Sequence, residues 1–571
     1  MNLTHVFHDE DRGLAISTAF IYKDKCKAIP GGRWDKELRA WRYPFTPFAA
    51  KAIAEQFPPD KSKWSDIAEK LLLESQAIAD SAKYKTAETL PDIPVQKVPA
   101  WHHQKQCFWF AKNLPGAMIA FDMATGKSRI AIDLIQNREH WQTLILCPKS
   151  VIDVWPTQFE RHAVREYTII TGSEGSVANR VERIKRDLSL SRARLRPAVV
   201  VLNYEAAWRE PMDEFLLTHH WDCVVLDESH RIKSPSGKSS KFCSRLGDSV
   251  PSRICLTGTP MPHNPTDIYA QYRFLDKGIF GTSFVNFRAR YAVMGGYGNH
   301  TEVSYQNQDE MHEKMYQIAM RVMADDVLDL PETMDIVRTC KLSTSARAIY
   351  DSVDKEFVAE VGAGMVTVTN ALTKLLRLQQ ITSGFVTMDH GEQYSQSKSH
   401  IQEIDTAKAE LLLDILTDLH PKEPVAIFCR FHPDLNTIKA VGDSLGRGVL
   451  ELSGRVNQLA AWQADTTGDT PILAVQIQSG GLGVDLTRAR YQIFYSLGYS
   501  LGDYLQARKR CHRPGQTRSV KFIHLVAEHT KDADVYKALE QRLEVVESIL
   551  DTTRARLAAD VHESQSHPAA V

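Results

Sequence analysis

Residues 120–132 read AFDMATGKSRIAI. Gly126, Lys127 and Ser128 follow the apolar run AMIAF (117–121) and lead into GKSRIAIDLI, which suits a helix start. A strand, a short loop and a helix N-terminus make an anion site, because backbone N–H groups and the positive end of the helix dipole converge there. In such a loop Thr125 and Gly126 line the turn and Lys127 reaches the β- and γ-phosphates of a nucleotide. The Ser128 hydroxyl holds Mg²⁺. The general pattern also asks for a glycine five positions before Gly126, where Phe121 stands. A helix cap with a surface lysine is the plainer reading of the same residues.

A second constellation is VVLDESH (224–230). Asp227 and Glu228 end an apolar run, and ionised carboxylates there are costly unless a cation or hydrogen bonds compensate. Asp227 would bind Mg²⁺, commonly through water, and Glu228 would activate an attacking water. Asp-Glu-Ser also suits a helix first turn. The position about 100 residues after a phosphate loop favours the hydrolytic reading. LTGTP (256–260), with Thr257 and Gly258, brings small hydroxyl residues after another apolar run and is by itself a turn. SGGLG (479–483) carries Ser479, Gly480 and Gly483, where glycines permit close backbone approach to a ligand. In QARKRCHRPGQ (506–516), Arg510 and Arg513 are three apart, hence on one face if helical.

The elements that must position these groups are also visible. Short apolar, β-branched runs recur at 117–121, 143–148, 198–203, 222–227 and 253–257. A second series stands at 425–429, 449–452, 471–476, 491–496 and 520–526. Continuous apolar strands alternating with helix-length stretches predict buried parallel sheets, hence two α/β lobes at 99–275 and 401–545. Helical spacing across 276–400 predicts a helical insertion between them. At the other end GGRWDKELRAWRYPF alternates as a hairpin does, and a helix follows, giving a small α+β module over 1–60. A helical stretch and the Pro-spaced LPDIPVQKVPA fill 61–98 as a linker, and 546–571 reads as a helix end and disordered tail.

Bulk properties narrow the class. The chain has 571 residues with a formal net charge of −1, so any nucleic-acid contact must come from a local basic stripe. Nine scattered cysteines without a Cys-x-x-Cys pair predict reduced thiols in a cytoplasmic setting and no zinc site. The N-terminus does not read as a signal peptide, and no apolar run approaches the roughly 18 residues needed to span a bilayer.

Taken in order, these motifs resemble the superfamily-two helicases, and AFDMATGKS resembles the Swi/Snf-type translocases among them. In that family the first glycine of the general loop is already absent. Ala124 departs from the usual glycine. PAWHHQKQCFWF (99–110) resembles the family's adenine-recognition element, with Gln104 as the residue whose amide pairs with an adenine edge. QARKRCHRPGQ resembles its final motif. The resemblance implies two RecA-like lobes forming one ATP site, with Arg510 and Arg513 as arginine fingers and Gln506 positioning them. Asp485 stands where the family usually has Asn, and LGYSLGD where it has Trp-Asn-Pro. Lys149, Lys233, Lys238, Thr257, Gly258, Ser479 and Gly480 become expected DNA contacts.

IPGGRWDKELRAWRYP (29–44) resembles the HARP-type module of annealing helicases, which recognise forked or junction DNA. Arg33, Trp34 and Trp41 would stack on splayed bases and hold phosphates. The same tryptophans could instead build the module's own core. The implied function is an ATP- and Mg²⁺-dependent translocase on duplex or branched DNA, without sequence specificity and without a membrane. A strand-separating DNA or RNA helicase and a non-catalytic scaffold are the rivals. Compactness points to a bacterial or phage enzyme of DNA repair, replication or defence.

Overall fold

The computed structural model describes the chain apart from residues 1–3, 10–12, 173–174, 263, 296–300, 357, 362–363, 368–370, 388–400, 478–483 and 542–571. In the N-terminal residues, β1 (His5–Asp9) and β2 (Gly13–Ser17) pair antiparallel. The alternating stretch forms the expected hairpin, β3 (Arg33–Asp35) against β4 (Ala40–Tyr43), with Trp34 opposite Trp41. β5 (Lys63–Trp64) adds in parallel to β1, giving the order β3-β4-β2-β1-β5. Two helices, Pro47–Gln56 and Asp66–Asp80, start on hydroxyl caps: Thr46 Oγ1 accepts from Ala49 N at 3.2 Å and Ser65 Oγ from Ala68 N at 3.4 Å. Trp64, Ala68 and Leu71 join Val6, Leu14, Ile16 and Ile53 in one core. The module therefore runs through the second helix, past the boundary expected at 60, because β5 and that helix complete its core.

All five apolar runs of the first series are strands. β6 (Gly116–Phe121), β7 (Gln142–Cys147), β8 (Thr168–Thr171), β9 (Ala198–Asn203), β10 (Cys223–Asp227) and β11 (Ser252–Leu256) join one parallel sheet. A hairpin, β12 (Ala292–Gly295) with β13 (Thr301–Tyr305), precedes β14 (Ala319–Val322), which pairs in parallel with β6. The sheet order is β14-β6-β11-β10-β7-β9-β8.

The chain divides at Val327/Leu328 into two compact units. The second opens with β15 (Thr333–Cys340) and holds two small antiparallel pairs, β16 (Val358–Val361) with β17 (Gly364–Thr367) and β18 (Phe385–Thr387) with β19 (Ile401–Glu403). Its parallel sheet adds β20 (Val425–Cys429), β21 (Val449–Leu452), β22 (Ile472–Gln476), β23 (Tyr491–Phe494) and β24 (Val520–Ala527), in the order β15-β24-β23-β20-β22-β21. Both α/β units match the expected class.

The segment expected to be a helical insertion over 276–400 is instead shared out. Up to Val327 it belongs to the first unit and from Leu328 to the second, and each part contributes an edge strand, β14 and β15. β15 mixes apolar and polar residues and is largely exposed, unlike the buried runs that mark central strands, so continuous apolar pattern could not reveal it.

Within the first unit the N-terminal module is packed onto the lobe. A Cβ on Gly278 would lie 2.4 Å from Thr46 Oγ1 and 2.7 Å from Ala49 N, and one on Gly281 would lie 2.9 Å from Gly31 N. Arg33 Nη2 donates to Thr282 Oγ1 at 3.0 Å. Beyond the module, Lys85 donates its buried ammonium to Tyr316 O and lies 4.1 Å from the Phe110 ring, and burial pushes its pKa down to about 7. Such contacts leave no room for a side chain at the seam. Gly278→Val should therefore lower stability by about 1–3 kcal/mol. Thermal denaturation checks this, and an unchanged melting temperature would contradict the close fit.

Candidate active site

β6, β11 and β10 are adjacent and parallel, so the loops after Phe121, Leu256 and Asp227 emerge at one edge of the sheet. This common edge brings the first three constellations together. Phe121 is the fully buried last residue of β6, so it belongs to the strand and the loop proper is 122–126. Ala124 has φ +65° and Gly126 φ +97°. The position where the family resemblance expects glycine is thus a left-handed one, and alanine holds it at a cost of roughly 1–2 kcal/mol. At 126 the left-handed backbone favours glycine, and a Cβ there would lie 2.3 Å from Gln104 Nε2 and push that amide from its place.

Side chains close the loop on itself. Thr125 Oγ1 donates to Asp122 O at 2.7 Å, and Lys127 Nζ donates to Phe121 O at 2.8 Å and Asp122 O at 3.0 Å. Lys127 and Ser128 open helix Lys127–Asn137. Gln104 is buried, its Nε2 donating to Thr125 O at 3.1 Å and its Oε1 accepting from Trp101 N at 3.0 Å. It therefore sits beside the phosphate loop with both ends of its amide engaged, and pairing with an adenine would require these bonds to exchange. The Pro-spaced linker is held rather than loose. Arg129, ion-paired with Asp133 at 3.0 Å, donates to Pro99 O, and Gln136 and Asn137 donate to Val95 O.

The carboxylates end β10. Asp227 Oδ2 accepts from Trp155 Nε1 at 3.2 Å, its Oδ1 accepts from Glu228 N, and its backbone oxygen accepts from Tyr204 Oη at 2.9 Å. Burial raises the Asp227 pKa, the neighbouring Glu228 charge adds to this, and the Lys127 charge opposes it. Glu228 has φ +50°, an unusual conformation for a non-glycine residue, of the kind found where backbone strain serves a site. Its Oε2 lies 3.4 Å from His230 Nδ1, which lies 3.3 Å from Thr257 Oγ1, which accepts from Thr259 N at 3.1 Å. His230 thus links the carboxylate to the LTGTP loop. Gly258 lies against the phosphate loop, where a Cβ would come within 3.3 Å of Phe121 O.

Trp155, Tyr204 and His230 escaped the sequence reading as site residues. They lie in SVIDVW (150–155), LNYEAAW (202–208) and DESH (227–230), but only pairing of β7 with β9 and β10 shows which side chains reach the carboxylates. Among the described residues no group of three or more His, Cys, Asp or Glu is arranged to hold a metal. Two adjacent buried carboxylates, one with a raised pKa, nevertheless fit a divalent cation held with Ser128 and Asp227, since added positive charge would relieve their repulsion.

Of the expected DNA contacts, Lys149 and Lys238 are exposed and Lys233 half-buried, all in the first unit. Thr257 is buried, which leaves backbone groups of its loop as the available donors. Trp34 is 51% exposed and meets Trp41 edge-on at 5.8 Å, while Trp41 packs partly on the module core. The two readings of these tryptophans thus separate, one ring outward and one inward.

In the second unit, Gln506 and Arg510 are buried on helix Leu501–Cys511. Arg513 lies beyond the helix end, so the expectation of one shared helical face does not hold. The residue before a proline is driven out of helical conformation, and Pro514 follows Arg513. Arg513 Nη1 instead donates to Val484 O at 3.3 Å, and Leu486 N donates to Arg510 O. Gln516 Nε2 donates to Thr487 O and Ala489 O at 3.0 Å. Together these bonds tie the arginine segment to the chain that follows SGGLG. Ser479, Gly480 and Gly483 themselves lie outside the described residues.

With this geometry in hand, comparison with known proteins is specific. Residues 76–384, more than half of the chain, match the SNF2-related domain, and residues 407–515 match the helicase conserved C-terminal domain. The chain is 25% identical over 459 residues to "Chromodomain-helicase-DNA-binding protein 1-like" of Danio rerio, covering 78% of this chain and 43% of that protein. It is 26% identical over 498 residues to "DNA annealing helicase and endonuclease ZRANB3" of Mus musculus, covering 84% and 43%. A third relative is the Caenorhabditis elegans "SWI/SNF-related matrix-associated actin-dependent regulator of chromatin subfamily A-like protein 1 homolog", 23% identical over 571 residues, covering 94% and 74%. The chain thus spans less than half the length of the first two.

The Asp227 carboxyl carries a testable sign. Its pKa is higher in the folded protein than in the unfolded chain, so the native state binds the proton more tightly. Stability contributed at low pH is then lost as pH rises through the window between the two values. Asp227→Asn should melt higher than the parent at pH 8 in magnesium-free buffer, with the gap closing at pH 5. Equal melting temperatures at both values would contradict the raised pKa.

Proposed function

We propose that this chain, which belongs to the SNF2-related family, is an ATP-dependent translocase that couples nucleotide hydrolysis to movement on duplex or branched DNA. The observation that carries the reading is the convergence of Lys127, Ser128, Asp227, Glu228 and Thr257 on one edge of one sheet. The helicase C-terminal match, which takes in Gln506, Arg510 and Arg513, supports it.

In this reading Lys127 exchanges the carbonyls of Phe121 and Asp122 for phosphate oxygens of ATP. Exposed N–H groups of the loop and of helix Lys127–Asn137 complete the anion site. Ser128 and Asp227 would hold Mg²⁺, which would supply positive charge to offset that of the phosphates. Glu228, oriented by its own backbone and by His230, accepts a proton from the attacking water. Arg510 and Arg513 stabilise the charge that spreads over the transferring phosphoryl group. The path Glu228–His230–Thr257 gives hydrolysis a physical connection to the LTGTP loop, whose backbone, with Lys149, Lys233 and Lys238, contacts DNA phosphates without reading sequence.

The N-terminal module, HARP-like in sequence, adds branch recognition through Trp34 and the arginines of its hairpin. The mouse relative is named an annealing helicase, which favours fork remodelling over processive strand separation. A DNA-repair role in a bacterial or phage-infected cell belongs to the same proposal. Among the described residues no helix is long and apolar enough to cross a membrane.

Lys127→Ala and Glu228→Gln should each lower DNA-stimulated ATP turnover by roughly 100-fold or more, with the circular dichroism spectrum unchanged. Steady-state phosphate release checks this, and turnover within twofold of the parent in either variant would remove the site assignment. Robust displacement of long duplexes, with single strands as the best activator, would favour a strand-separating helicase instead.

A further inference from the structure

Helix Lys238–Ser249 lines a cavity of about 850 Å³ in the first unit, with Trp208 at one end and Arg273 and Lys277 at the other. A second cavity of about 380 Å³ shares Asp248, Arg273 and Lys277 with it and ends on the N-terminal hairpin at Arg33 and Arg42. The two are therefore one continuous groove from the lobe to the module. Lys238, Lys241 and Arg245 stand three and four residues apart, hence on one helical face, at about 5 Å per step.

The groove is strongly cationic. Arg209, Lys238, Lys241, Arg245, Arg273 and Lys277 line the larger part against three carboxylates, Glu210, Asp213 and Asp248. In the smaller part Arg33, Arg42 and Arg253 join Arg273 and Lys277, with Asp248 the one carboxylate of the lining. Some of this charge is internally paired, Lys277 with Asp248 and Arg42 with Asp35. Among the described residues no carboxylate lies within ion-pair distance of Lys241 or Arg245, and the buried Nε atoms of Arg253 and Arg273 have no hydrogen-bond partner. Lys238 lies 4.7 Å from the Trp208 ring and Arg209 5.4 Å from it, an aromatic flanked by two cations. At the far end the cross-strand pair Arg33 and Arg42 lines the cavity, while the next pair, Trp34 and Trp41, stands on the other face of the hairpin.

Cations spaced along a helix, with an aromatic platform at one end, suit a nucleic-acid backbone and its bases. The aromatic selects the strand number. A duplex keeps its bases paired and stacked inside, whereas a single strand can lay an unpaired base against a ring such as Trp208. We infer that this groove carries the single-stranded arm of branched DNA from the motor lobe to the N-terminal hairpin, with phosphates on Lys241, Arg245 and Arg273 and, at the hairpin, on Arg33 and Arg42, and with a base against Trp208. This deepens the translocase reading and rests on it. It also gives the module's position on the lobe a purpose, since the seam and the groove use the same residues, Arg33 and Thr282.

The test uses the full chain with Lys241 and Arg245 both changed to Glu, and separately Trp208→Ala. Lys241 and Arg245 are exposed, so charge reversal there leaves the fold in place, which melting curves verify. Fluorescence anisotropy at fixed salt compares a fork bearing one single-stranded arm with a blunt duplex of equal length. The expected result is a loss of roughly tenfold in fork affinity for the double variant, a smaller loss for Trp208→Ala, a shallower salt dependence on the fork, and blunt-duplex affinity within twofold. Equal losses on both DNAs would overturn the single-strand assignment, and unchanged fork binding would overturn the groove. DNA-stimulated turnover of the parent protein, measured on the same blunt duplex, separates the two readings. If it is present and fork binding is unaffected by the variants, the groove alone fails; if it is absent, the translocase reading fails and the groove falls with it.

Discussion

A strand buried along its whole length that ends in Asp227 and Glu228 must place two carboxylates where water solvates them poorly. The surroundings answer that constraint residue by residue. Trp155 donates to one oxygen of Asp227, the Glu228 amide donates to the other, and Lys127 supplies opposing charge from the next loop. Glu228 itself is turned by a left-handed backbone toward His230 and away from the strand. These groups are held in place by β6, β7, β10 and β11, so the parallel sheet serves chiefly to bring the ends of distant segments to one edge. Held this way, the carboxylates suit a divalent cation, whose positive charge would relieve their mutual repulsion.

Much of this was legible because it follows from short-range rules. The ten apolar runs all became strands of the two parallel sheets, and Lys127, Ser128, Asp227 and Glu228 fell where strand–loop–helix logic puts them. The glycine missing at 121 proved to lie outside the loop, and the backbone at 124 shows why glycine is usual there. What stayed illegible depends on partners distant in sequence. β15 mixes polar with apolar residues because one side of it is an edge, so no continuous apolar run marks it. Trp155 and His230 acquire roles only through sheet pairing. Arg513 carried a helical spacing that Pro514 interrupts, a local signal present in the sequence and outweighed there by the simple count of three.

The N-terminal module illustrates how packing adds to motif. Its hairpin was predicted, but its last strand and helix were assigned to a linker, because two residues of strand and an amphipathic helix look alike in either role. Packed against the lobe through Gly31, Gly278 and Gly281, the module lengthens a basic groove that neither part forms alone. The basic lining at that seam thus arises where two separate surfaces meet.

The central claim is that hydrolysis at Lys127 and Glu228 drives movement along duplex DNA. Displacement of a third strand from a triplex placed on a long duplex tests it most directly, because the third strand comes off when a motor passes and the duplex itself stays paired. The account predicts displacement that requires ATP and Mg²⁺ and grows slower as the distance from the loading end increases. ATP turnover stimulated by the same duplex without any displacement would contradict it.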